Sequence, residues 1–192
     1  NDQKAIEVLK KAVAANPKLG VTHQALGKMY YNTRNSQGAI KELKKAISIK
    51  PNNADTHYFL GLVYQLLTED FQKAANEYNK ALSLNSKGYT SQQYHNIGFL
   101  NFNLKNYKKA IKPLEGSIRI NPDNYKAYGL LGETHKELGN YEKAIKYYKK
   151  AIQILPNNNI LYGALGVVYW LKKDGANAIV NLKIAEKLAV KK

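Results

Sequence analysis

Apolar residues recur along this chain at the i, i+3, i+4 spacing of amphipathic helices, and the helices come in pairs. In one clear pair, Leu131, Thr134, His135 and Leu138 share a stripe, and Gly139-Asn140 then breaks the pattern. Tyr141, Ala144, Ile145, Tyr148, Ala151, Ile152 and Leu155 continue it as a second stripe. Pro156 ends that stripe, and Asn157-Asn158 leads into the next pair. The same arrangement returns along the whole chain. Gly27, Gly61, Gly98, Gly132 and Gly166 each follow an apolar residue, at spacings of 34, 37, 34 and 34. A second ladder runs through Ala5, Ala39, Ala74, Ala110, Ala144 and Ala178, and a third through Pro17, Pro51, Pro122 and Pro156.

The ladders locate the added residues. One is inserted near Thr68–Gln72 and two near Asn85–Ser91, where Ser86 stands at the expected proline. Both insertions fall in predicted turns, where extra length costs little. The small ladder residues predict close helix packing: Gly132, Ala144 and Ala151 let two backbones approach while Leu131 and Tyr148 fill the surrounding space.

Leu-Gly-x-x-Tyr, then Ala, a large apolar residue four later, Ala three beyond and Pro after five more resembles the tetratricopeptide repeat (TPR). Leu26-Gly27 with Tyr30, then Ala39, Leu43, Ala46 and Pro51, show it most cleanly. Asn101 and His135 depart from the motif tyrosine, Ser117 from an alanine, and Val190 from the last proline. The resemblance implies an all-α, right-handed superhelical solenoid, read as a single array over residues 1–192. It consists of an N-terminal half repeat (2–17) and five repeats, at about 18–51, 52–86, 87–122, 123–156 and 157–190. Stacked repeats normally end in a polar capping helix. None follows the fifth repeat, so the expectation is a fragment, or ends covered by a partner or a second copy.

In this family, first helices line a concave groove where partner segments bind. Carried over residue by residue, the groove positions include Tyr31, Tyr58, Leu62, Leu66, Gln92, His95, Phe99, Phe102 and Lys126. The apolar members are not demanded by the packing ladder, and apolar clusters on a repeat surface mark peptide sites; the alternative is that they cover the neighbouring helix. The first helix of the fifth repeat is apolar almost all round. Its Ile160, Val167, Trp170 and Leu171 predict either self-association or a groove-inserting segment. Two known family sites do not fit. The carboxylate clamp fails at Gln24/Lys28 followed by Phe59 and at Tyr58/Leu62 followed by Asn96. The asparagine ladder fails because the series reads Ala25, Phe59, Asn96, Leu130, Ala164. By architecture and the insertion around Tyr89–Tyr94, the chain is also similar to pilus-assembly pilotins and to self-assembling magnetosome scaffolds.

Charge adds a second theme. Lys+Arg number 30 against 14 Asp+Glu, a net of +16. The lysines gather on second helices, as Lys41, Lys44, Lys45, then Lys108, Lys109, Lys112, then Lys143, Lys146, Lys149, Lys150. They predict a basic convex face, read first as a solubilising surface. Docking of an acidic protein or peripheral anionic membrane comes second. Nucleic acid is disfavoured, because no aromatic residues interleave with the lysines.

Catalytic chemistry is not in evidence. Zero cysteines remove disulfides, zinc thiolates and a thiol nucleophile. His23 and His57 occupy one repeat position a full period apart, which suits packing or hydrogen bonding rather than a metal site. Glu133 and Glu137, beside Lys136, read as a solvated helix face, and no phosphate loop or nucleophile elbow occurs. No metal and no cofactor are expected. The function expected is a non-catalytic protein-interaction scaffold; a targeting domain of a larger enzyme is the remaining alternative. With no leader and no apolar run near the ~20 residues that span a bilayer, a soluble cytoplasmic or periplasmic protein is expected.

Overall fold

The computed structural model describes residues 2–85 and 88–190, so the expectation at Ser86 lies outside the described residues. Two compact units divide at Gly88/Tyr89, where the ladders gain two residues. The first contains α1 (Asp2–Ala15), α2 (Gly20–Asn32), α3 (Ser36–Ile49), α4 (Ala54–Leu66) and α5 (Phe71–Leu84). The second contains α6 (Ser91–Asn103), α7 (Tyr107–Ile120), α8 (Tyr125–Glu137), α9 (Tyr141–Ile154), α10 (Asn159–Leu171) and α11 (Gly175–Val190). Within each unit, a first helix packs most heavily on the second helix of its own repeat, and next on the second helix of the repeat before it.

The glycine ladder is the point of closest approach. A Cβ at Gly27 would lie 2.7 Å from Leu43, one at Gly98 2.5 Å from Leu114, and one at Gly166 2.8 Å from Leu182. At Gly61 and Gly132 the opposing side chains are Tyr78 and Tyr148. Ala39, Ala74, Ala110 and Ala144 are fully buried beneath them. Small residues therefore face large ones across every helix pair, as dense packing requires.

The turns inside each repeat have a common chemistry. In the first repeat, Asn35 N–H donates to Tyr30 and Arg34 N–H to Tyr31, closing α2 with a Schellman motif around a left-handed Arg34. Lys105, Gly139 and Lys173 repeat it, so only one of these four positions is a glycine. Asp70 N–H instead reaches back to Tyr64, one residue further, because the extra residue predicted near Thr68 widens this turn. Side chains of Asn35, Asn53, Asp70, Asn124, Asn158 and Asp174 then accept from the first turn of the next helix. Thr90 and Gln93 form a capping box at α6.

The departures from the repeat motif are satisfied locally. Ser117 donates to Ser91 O at 2.9 Å, and its hydroxyl accepts from Asn124 Nδ2 at 2.9 Å. Asn101 is buried and donates to Ile97 O. His135 is buried and stacks on Tyr147 at 5.4 Å, but its Nδ1 has no hydrogen-bond partner. Among the described residues, no helix is long and apolar enough to cross a membrane.

Candidate functional site: an apolar cleft in the second unit

First helices α6, α8 and α10 line a cleft of about 390 Å³ within the second unit. Phe99 from α6, Leu130 from α8, and Ile160, Leu161 and Ala164 from α10 give it an apolar wall. Gly129 leaves room in the floor, where a Cβ would meet Leu161 at 3.2 Å. Phe99 is 49% exposed and Ile160 74% exposed, a costly arrangement for two large apolar side chains unless something covers them.

Polar groups ring this wall. His95 stacks parallel to Phe99 at 6.3 Å, and its buried Nδ1 has no hydrogen-bond partner. Burial lowers its pKa; Asn96 opposes that through a hydrogen bond, and Lys126 reinforces it through charge. The imidazole is therefore neutral at neutral pH. Glu133 is held from two sides, by the Tyr148 hydroxyl and the Lys136 ammonium, which also reaches Glu137 at 3.2 Å. Burial first, and then Glu133, raise the Tyr148 hydroxyl pKa, so it stays a donor. Lys126 and Asn158 also line the cleft, Asn158 with its side-chain oxygen already accepting from the first turn of α10.

The residues singled out from sequence divide. His95, Phe99 and Lys126 come together here, and Ile160, assigned to self-association, joins them. Gln92 is exposed and bonds to Asn96, outside the cleft. Phe102 does not line it either; half-buried, it packs on the Ala110/Leu114 cluster and lies 5.5 Å from Tyr107, covering its neighbouring helix. Tyr31 and Leu66 share a separate shallow cleft of about 400 Å³ with Arg34 in the first unit. Tyr58 is half-buried on Tyr78 at 5.3 Å, and Leu62 is half-buried. On α10, Leu161, Leu165, Val168 and Tyr169 are buried, Val167 and Trp170 are exposed, and Leu171 is half-buried. Ile179, Val180 and Leu182 of α11 are exposed as well. Sequence reasoning missed their exposure and the partners of the histidines. His23 is held by Glu42 at 2.6 Å and Pro17 O at 3.0 Å, and His57 by Glu77 at 2.7 Å and Pro51 O at 2.9 Å. The signal was present: in both repeats that carry the histidine, a glutamate stands three residues after the ladder alanine.

This geometry of stacked helix pairs, with a glycine in each first helix and an alanine in each second, is that of a helical repeat protein with a peptide-sized cleft on its first helices. The chain matches the tetratricopeptide repeat family over residues 54–87, 92–124 and 125–158, and the TPR repeat over 35–67. It belongs to the tetratricopeptide repeat family, with the all-α solenoid fold of that family; such proteins are in general non-catalytic interaction modules. Among solved structures it is similar to YrrB, a TPR protein with an unusual peptide-binding site. The TM-score is 0.75 at 19% identity, covering 95% of this chain and 93% of that one. It is also similar to MamA, with a TM-score of 0.66 at 28% identity, covering 86% and 95%. The MamA of Desulfovibrio magneticus RS-1 gives 0.65 at 21% identity over 90% and 96%. No curated protein matches the sequence.

Proposed function

We propose that this protein is a non-catalytic interaction scaffold whose second unit takes a partner segment in the α6/α8/α10 cleft. The observation that carries this reading is the pairing of exposed Phe99 and Ile160 across one apolar wall, with His95, Lys126 and Asn158 at its edge. An extended or helical peptide would seat an apolar side chain between Phe99 and Ile160, and its polar groups would be oriented from the rim. The peptide-binding site of YrrB, on the same fold, supports this reading. The net charge of +16 would steer an acidic partner toward the protein.

Capture from cell lysate at moderate salt tests it. A partner retained by the native protein is lost with Phe99→Glu/Ile160→Glu while circular dichroism stays unchanged; equal retention by both contradicts the cleft. A second reading, self-association, rests on the exposed apolar surface of α10 and α11, where Trp170 is 67% exposed. Light scattering on the native protein and on Trp170→Glu/Val180→Glu should show a mass that falls to that of the monomer. A native protein already monomeric at high concentration removes that reading.

A further inference from the structure

The first unit and the second unit each contain a basic cleft of the same construction. In one, Lys41, Lys44 and Lys45 of α3 rise beside Val13 of α1 and His23 of α2. In the other, Lys146, Lys149 and Lys150 of α9 rise beside Ile118 of α7 and Tyr128 of α8. Each encloses about 480 Å³. Counted from the ladder alanines Ala39 and Ala144, the two lysine triads occupy the same three helix positions. The triad is not a property of every repeat. Those positions read Asn76, Asn79, Lys80 in the second repeat and Lys112, Glu115, Gly116 in the third, while Val180 and Ile184 interrupt them in the fifth.

All six lysines are exposed, and among the described residues none of them makes an ion pair. The carboxylates beside them are already engaged: Glu42 with His23, and Glu115 with the Tyr147 hydroxyl. Three like charges on adjacent turns repel one another; the second triad borders Ile118, Tyr128 and Tyr147, and the first borders Val13 and the paired His23 and Glu42.

From this we infer that the two clefts are docking sites for acidic amphipathic protein segments, with carboxylates on the lysines and one apolar side chain against the apolar lining. The donor set selects this ligand. Lysines act as flexible point charges, and no arginine fork or helix N-terminus enters either cleft to fix a single phosphate. Val13 in the first cleft, and Ile118 with Tyr128 in the second, suit an apolar side chain better than a lipid headgroup plane. These sites share no lining residue with the Phe99 cleft.

The probe is a fluorescein-labelled peptide of about ten residues, Asp and Glu around a central Phe, followed by anisotropy at moderate salt on the full chain. Two sites are expected per protein. Lys146→Gln/Lys149→Gln/Lys150→Gln should abolish one, Lys41→Gln/Lys44→Gln/Lys45→Gln the other, and the combined variant should lose binding at least tenfold. Lys108→Gln/Lys109→Gln/Lys112→Gln removes the same charge from α7 and should weaken binding less than about threefold, a long-range field effect. Replacing the central Phe by Ser should cost several-fold. The inference is overturned if the α7 variant weakens binding as much as either cleft variant, if the peptide binds with one site or none, or if phosphatidylserine vesicles or single-stranded RNA bind more tightly through the same lysines. All nine lysines are exposed, so the variants should melt with the native protein, and thermal melting is the control for folding.

Discussion

At one position of the repeat, four residues before the ladder glycine, the first unit carries His23 and His57, whereas the second carries Tyr94, Tyr128 and Tyr162. Their counterparts on the second helix change too: Glu42 and Glu77 in the first unit, and Pro113, Tyr147 and Asn181 in the second. The first unit thus ties helix to helix by imidazole–carboxylate bonds, buried at His23–Glu42 and half-buried at His57–Glu77, each completed by a proline carbonyl. In the fourth repeat, in the second unit, rings pack instead, with Tyr128 and Tyr147 at 6.4 Å and His135 stacked on Tyr147. One fold position accepts either chemistry because the glycine and alanine ladders alone fix the helix spacing. The difference lies in what a single substitution leaves behind: an unpaired buried carboxylate in one unit, a looser aromatic contact in the other.

That contrast can be broken most forcefully at Glu42. His23→Tyr alone strands a carboxylate whose side chain is 12% exposed. It should lower stability by about 3 kcal/mol, whereas His23→Tyr/Glu42→Tyr, which installs the Tyr128/Tyr147 pairing of the fourth repeat, should recover most of the loss. Chemical denaturation of the four members of the cycle measures the coupling; additive losses would mean the pair does not act as a unit. The ladder, shared by both units, comes next. Gly98→Ala drives a methyl to 2.5 Å from fully buried Leu114 and should cost about 2 kcal/mol in the same assay.

Acid should distinguish the second unit. Burial lowers the pKa of His95 and His135, with Lys126 and Lys143 adding to it. The unfolded chain therefore binds protons first, and stability should fall as pH drops from about 6.5 toward the lowered folded values. His135→Phe, which also removes an orphaned buried Nδ1, should shallow that decline in pH-dependent melting. The smallest effect is expected in the turns: Lys105→Gly relieves a left-handed lysine at φ 59° and should stabilise by about 0.5–1 kcal/mol.

Much of the fold was legible in the sequence because it depends on residue size at a fixed period. Gly98 opposite Leu114, and the added residue near Thr68, follow from spacing alone. The left-handed Arg34, Lys105 and Lys173 were not legible, because tertiary packing holds a conformation that these residues do not prefer. The candidate site was legible only in pieces. Phe99 and Phe102 lie one helical turn apart and look alike as letters, yet one is half exposed in the cleft and the other leans on Tyr107. Ile160 and Phe99, two repeats apart, line one cleft because of how α6, α8 and α10 stack rather than through any local pattern.

Site-specific photo-crosslinking tests the central proposal most directly. Benzoylphenylalanine would be placed at Phe99 in the second unit, or at Phe71, a comparably exposed aromatic of the first unit. Illuminated in cell lysate, the position-99 protein should form a discrete adduct with a partner segment, and the position-71 protein should not. Adducts equal at both positions, or absent at 99 while the native protein retains its partner, would contradict binding in the α6/α8/α10 cleft.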